Sequence, residues 1–102
     1  MNIKIRNKIV TVLFEQSDKV QIANYDSLVE EIVKDSNNGA TKFIFDFIDI
    51  KDSAFDSSII GLVSGLSKHL KKKNALVVLK DVSDHGKDMI SMCGFDQFLK
   101  FI

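Results

Sequence analysis

Lys42-Phe43-Ile44-Phe45-Asp46-Phe47-Ile48-Asp49-Ile50, then Lys51-Asp52-Ser53-Ala54-Phe55, then Asp56-Ser57-Ser58-Ile59-Ile60-Gly61, is where the chain turns from strand to helix. Residues 42–50 are almost continuously apolar, through Phe43, Ile44, Phe45, Phe47 and Ile48, the pattern of a strand covered on both faces. From Ser57 the period changes. Ile59, Leu62, Val63, Leu66 and Leu70 fall on one side of a helix expected over 57–73. Its end carries Lys71, Lys72 and Lys73, which suit the negative end of the helix dipole. A buried strand running into a helix is half of a parallel-sheet crossover unit.

The flanks extend this pattern. Ile3 and Ile5 alternate with polar residues and residues 9–14 are β-branched and apolar, so two strands, a hairpin around Asn7, open the chain. Tyr25, Leu28, Val29, Ile32 and Val33 form a helical stripe with Asn24 as its cap, ended by Ser36-Asn37-Asn38-Gly39. Residues 75–79 read as another buried strand. Ser83 begins a helix carrying Met89, Ile90 and Cys93, closed by Gly94 as a left-handed cap, and residues 98–102 read as a last short strand. The fold class is therefore α/β: a mixed, mostly parallel sheet with an antiparallel edge strand, covered by helices, in one domain over 1–102.

Composition narrows the function. Fourteen Lys and Arg balance 14 Asp and Glu, so no global field favours nucleic acid or an anionic membrane. No segment approaches the ~20 apolar residues of a membrane-spanning helix. With no signal-like start, the chain reads as cytoplasmic. The single Cys93 excludes an intramolecular disulfide and is expected buried and inert. His69 and His85 stand on different elements, and the aspartates 46, 49, 52 and 56 lack a calcium-loop spacing, so no metal and no cofactor is expected. No phosphate-binding glycine loop or nucleophile elbow is present, and the chain reads as non-enzymatic.

The loop 52–56 and the head of the second helix lie outside a strand's carboxyl end, where open α/β sheets place functional surfaces. Asp56, Ser57 and Ser58 are each good caps, sufficient to explain them as helix starters. Opposite the apolar stripe the helix carries Ser57, Gly61, Ser64 and Lys68, with Gly65 at the margin. So small an outward face suits a partner landing close, or else Gly61 and Gly65 lie against another part of this chain.

These residues also carry a resemblance. The strand at Phe43-Ile44-Phe45-Asp46-Phe47, then Phe55-Asp56-Ser57-Ser58 and Gly61, resembles the signature of the STAS family, the domain of bacterial anti-sigma factor antagonists. Val82-Ser83, Met89-Ile90 and Met92-Cys93-Gly94-Phe95-Asp96 are similar to a second family run, and Asn24 before Leu28 to its first helix. The resemblance implies a STAS-like fold and a protein partner, an anti-sigma factor that is also a serine kinase. It implies phosphorylation at Ser57 and partner binding through Asp56, Ser57, Ser58, Gly61, Ser64, Gly65 and Lys68. Three departures point instead to a constitutive scaffold subunit of a larger assembly. Ile59 replaces a family glycine where the partner approaches closely, and Gln21 replaces an acidic contact residue. The sequence stops at Ile102, where relatives usually continue into a further helix, and apolar surface left there would suit a permanent partner or a homodimer.

Overall fold

Asn7 and Lys8 both adopt positive φ, 52° and 66°, and make the two-residue turn that joins β1 (Asn2–Arg6) to β2 (Ile9–Leu13). Such a turn matches the twist of an antiparallel pair, and Arg6 accordingly faces Ile9 across the hairpin. The structure, a computed structural model, describes residues 2–15, 30, 32, 34, 39–51, 57–72, 74–94 and 99–102.

Three more strands, β3 (Lys42–Asp46), β4 (Leu76–Lys80) and β5 (Lys100–Phe101), add to β2 in parallel, giving one five-stranded sheet in the order β1-β2-β3-β4-β5. The mostly parallel sheet with an antiparallel edge is thus the one expected from the sequence. Helix α1 (Ser57–Lys71) connects β3 to β4, and α2 (Asp84–Met92) lies between β4 and β5. Because strand order follows chain order, each right-handed crossover turns to the same side of the sheet. The core shows the result. Val10, Val12, Phe43, Phe45, Val77 and Leu79, all on one face, form a single cluster with Ile32, with α1 and with Ile90 of α2. Lys87 of α2 reaches over the Phe101 ring on this same face, 5.8 Å from its centroid.

Several boundaries and burials differ from the sequence expectation. The strand predicted over 42–50 stops at Asp46, whose Oδ1 accepts a hydrogen bond from the Ile48 N–H at 3.0 Å. That side-chain turn draws the backbone off the sheet, the Ile50 N–H donates to the Phe47 carbonyl, and Ile48 is left 61% exposed. Nor is β3 buried on both faces: Phe43 and Phe45 are buried, while Lys42, Ile44 and Asp46 are half-buried. Likewise β4 begins at Leu76, which is largely exposed, rather than at Ala75.

α1 ends at Lys71, short of the predicted 73. Asn74, at φ 58°, donates to the Lys71 carbonyl and Ala75 to that of Leu70, the bond pair of a Schellman ending. α2 starts as expected, Ser83 capping it by accepting from the Gly86 N–H at 3.0 Å, and Gly94 follows at φ 77°. Cys93, however, is exposed rather than buried. It is the capping residue after the last turn, and Ile90 takes the inward position instead. Of the helix predicted from Tyr25, Glu30, Ile32 and Lys34 are helical and Ile32 is fully buried. Asn24, Tyr25, Leu28, Val29 and Val33 lie outside the described residues.

Candidate functional site

The platform for the site is the carboxyl end of β2, β3 and β4. Hydrogen bonds continue past the strands: the Phe14 N–H donates to the Asp46 carbonyl at 3.1 Å, and the Phe47 N–H to the Lys80 carbonyl at 3.0 Å. Beneath them Phe14 stacks on Phe47 and leans on Phe45, with centroids 5.1 and 6.1 Å apart. All three rings are buried. A carboxylate also ties β3 to β4, since Asp46 lies 3.7 Å from the Lys80 ammonium. Asp46, read in the sequence only as one of four aspartates without a calcium-loop spacing, thus both links two strands and ends one of them.

From this end the chain passes to α1. Ile59, Ile60, Leu62, Val63, Leu66 and Leu70 are all buried, so one side of the helix is sunk in the core along its length. Ser67 joins them, which the apolar pattern had not indicated. Its Oγ–H donates to the Val63 carbonyl at 2.6 Å, the local bond that lets a hydroxyl sit at a buried helical position.

The other side is as small as the sequence suggested. At about 100° per residue, positions 57, 61, 64 and 68 stand in one row along the axis. Ser57 opens the helix, Gly61, Ser64 and Gly65 are half-buried, and Lys68 is exposed. Ser58 is half-buried and already engaged in a contact within the chain. A methyl group at Gly61 would meet nothing within 4 Å, so among the described residues no part of this chain packs there. Of the two readings of the small face, close self-packing therefore fails at Gly61. Asp56, the loop 52–55 and the Ser57 side chain lie outside the described residues, as does Gln21.

The side chain of Ile59 is fully buried. It therefore takes the place in the apolar stripe that the helical period gave it, under the candidate docking face, and its branched side chain does not stand where the family comparison expected a partner to approach.

Charge is graded along α1. Its first turn carries no acidic residue and its last turn carries Lys68, His69 and Lys71. The carboxyl end is therefore cationic, where the helix dipole is negative. His69 and His85 are exposed on different helices, and the described residues contain no group of three His, Cys, Asp or Glu able to hold a metal ion. Among those residues no helix is long and apolar enough to cross a membrane.

A single antiparallel edge, parallel strands in chain order, and α1 and α2 packed on one face define the class of domain. The profile of the STAS domain matches residues 1–102, and the chain belongs to that family. Solved structures show the same fold. The NMR structure of the protein TM1081 superposes with a TM-score of 0.80 at 18% identity, covering 98% of this chain and 78% of that one. The crystal structure of a candidate anti-sigma factor antagonist, tm1081 from Thermotoga maritima, gives 0.66 at 15% identity, covering 98% and 83%. No curated protein matches the chain.

Proposed function

We propose that this STAS domain is a non-catalytic, cytoplasmic switch of the anti-sigma factor antagonist type. It binds an anti-sigma factor that is also a serine kinase, through Asp56, Ser57, Ser58 and the face Gly61, Ser64, Gly65 and Lys68. The observation that carries this reading is the open space over Gly61, on a helix whose opposite side is entirely committed to the core. A partner backbone or helix can approach that face closely without disturbing the fold.

Ser57 is the switch. Phosphorylation adds about −1.5 to −2 charges at neutral pH. Next to Asp56 and close in sequence to Asp52, that charge repels an acidic or apolar docking surface, while the helix amino end partly stabilises it. Unmodified, the domain holds the anti-sigma factor and frees the sigma factor; phosphorylated, it lets go. The burial of Ile59 supports this reading over a constitutive scaffold subunit, because the face stays clear of its branched side chain.

The test is mass spectrometry of the native protein joined to binding measurements on the proposed anti-sigma factor kinase. Phosphate on Ser57, and weaker binding by Ser57→Asp, are the expected results. Binding that is equal for Ser57→Ala, Ser57→Asp and the parent chain contradicts the switch.

A further inference from the structure

The face of the sheet turned away from the helices has a chemistry of its own. Register sets three rows on this face: Arg6, Ile9, Lys42 and Leu76; Lys4, Thr11, Ile44, Val78 and Lys100; and Leu13, Asp46 and Lys80. The only carboxylate on these strand positions is Asp46, already held by Lys80. Five cations against one acid stand out in a chain whose formal charge is zero. Between them the floor is aliphatic: Ile9, Leu13 and Ile44 are half-buried and Leu76 is 48% exposed, around a buried Val78. None of these five belongs to the core cluster that the helices cover. At the hairpin edge the face deepens into an open groove of about 270 Å³ bounded by Lys4, Arg6, Asn7, Ile9 and Thr11.

From this we infer that the face of the sheet turned away from α1 and α2 is a second docking surface, and that its occupant is an acidic amphipathic segment of a partner protein. Apolar residues of that segment lie on the aliphatic floor and its carboxylates reach the flanking lysines and Arg6. Charge complementarity selects this occupant. A second copy of the chain is disfavoured, because an isologous dimer through this face sets the same excess of cations against itself. Nucleic acid fits poorly, since the floor offers no aromatic ring for bases to stack on. Strand spacing makes the face about 20 Å wide and little more than 15 Å long, which suits a short segment and a transient contact.

The inference is independent of the α1 face, which lies on the other side of the sheet, and one titration separates the two. The full chain is followed by its amide resonances as a synthetic helical peptide is added, with leucine along one side flanked by glutamate. Amides of Thr11, Ile44 and Val78 are expected to shift while those of Gly61 and Ser64 stay still. Rising salt is expected to weaken the effect. The double charge reversal Arg6→Glu with Lys100→Glu, at two exposed positions, is expected to weaken binding at least about tenfold with an unchanged thermal midpoint. Lys4→Glu provides the same comparison where the double variant unfolds. The proposal is overturned by shifts confined to α1, by no shift on the sheet, or by unchanged affinity in the reversed variants. Tighter binding of an oligothymidylate, of phosphatidylglycerol vesicles or of the same peptide with lysine for glutamate overturns it equally.

Discussion

The rings of Phe14 and Phe47 stack 5.1 Å apart with 13° between their planes, one just past the end of β2 and the other just past the end of β3. This pair closes the core at the end of the sheet from which the chain leaves for α1. Its removal therefore loosens the platform of the site as well as the fold.

Replacing Phe14 by alanine is expected to cost about 3–5 kcal/mol, the usual range for a fully buried ring. Urea denaturation read by far-UV circular dichroism measures it. A loss below ~1 kcal/mol would mean that the stack is not closing the core.

The hairpin offers a change in the opposite direction. Lys8 holds φ 66° beside Asn7 at 52°, a pairing in which the second position favours glycine. Relief of the left-handed strain predicts that Lys8→Gly stabilises by roughly 1 kcal/mol, raising the melting temperature by about 4–8 °C. Calorimetric scanning decides it, and a lowered midpoint refutes the reading of the turn.

Much of this architecture was readable because periodicity reports burial directly. The helical stripe from Ile59 to Leu70 and the alternation at Ile3 and Ile5 placed α1 and the hairpin. What periodicity does not report is a local side-chain bond. Phe47, Ile48 and Ile50 continue the apolar composition of β3, yet Asp46 captures the Ile48 N–H and ends the strand. Asn74 likewise ended α1 within a lysine run whose composition gave no stop. The small outward face of α1 was legible from Gly61 and Ser64 opposite the stripe. The cationic sheet face was not, since it joins residues from five strands that only register brings together.

At the other end of α1, Asn74→Ala removes a residue suited to left-handed φ and is expected to destabilise by about 1–2 kcal/mol. Asn74→Gly keeps the stability of the parent chain. Equal midpoints for the alanine and glycine variants in denaturant would contradict the Schellman ending.

Gly61 separates stability from docking. With nothing within 4 Å of an added methyl group, Gly61→Ala is expected to stabilise the helix by roughly 1 kcal/mol. Gly61→Trp is expected to keep the fold but abolish partner binding, seen as retained circular dichroism with no retention of the kinase in pull-down. Retained binding by the tryptophan variant would move the docking surface off this face.

The most direct measurement is titration calorimetry of the proposed anti-sigma factor kinase against the parent chain and Ser57→Asp. A loss of at least about tenfold in affinity, ~1.4 kcal/mol, is the predicted result. Equal affinities from two equally folded proteins would contradict the account of α1 as a phosphate-gated docking helix.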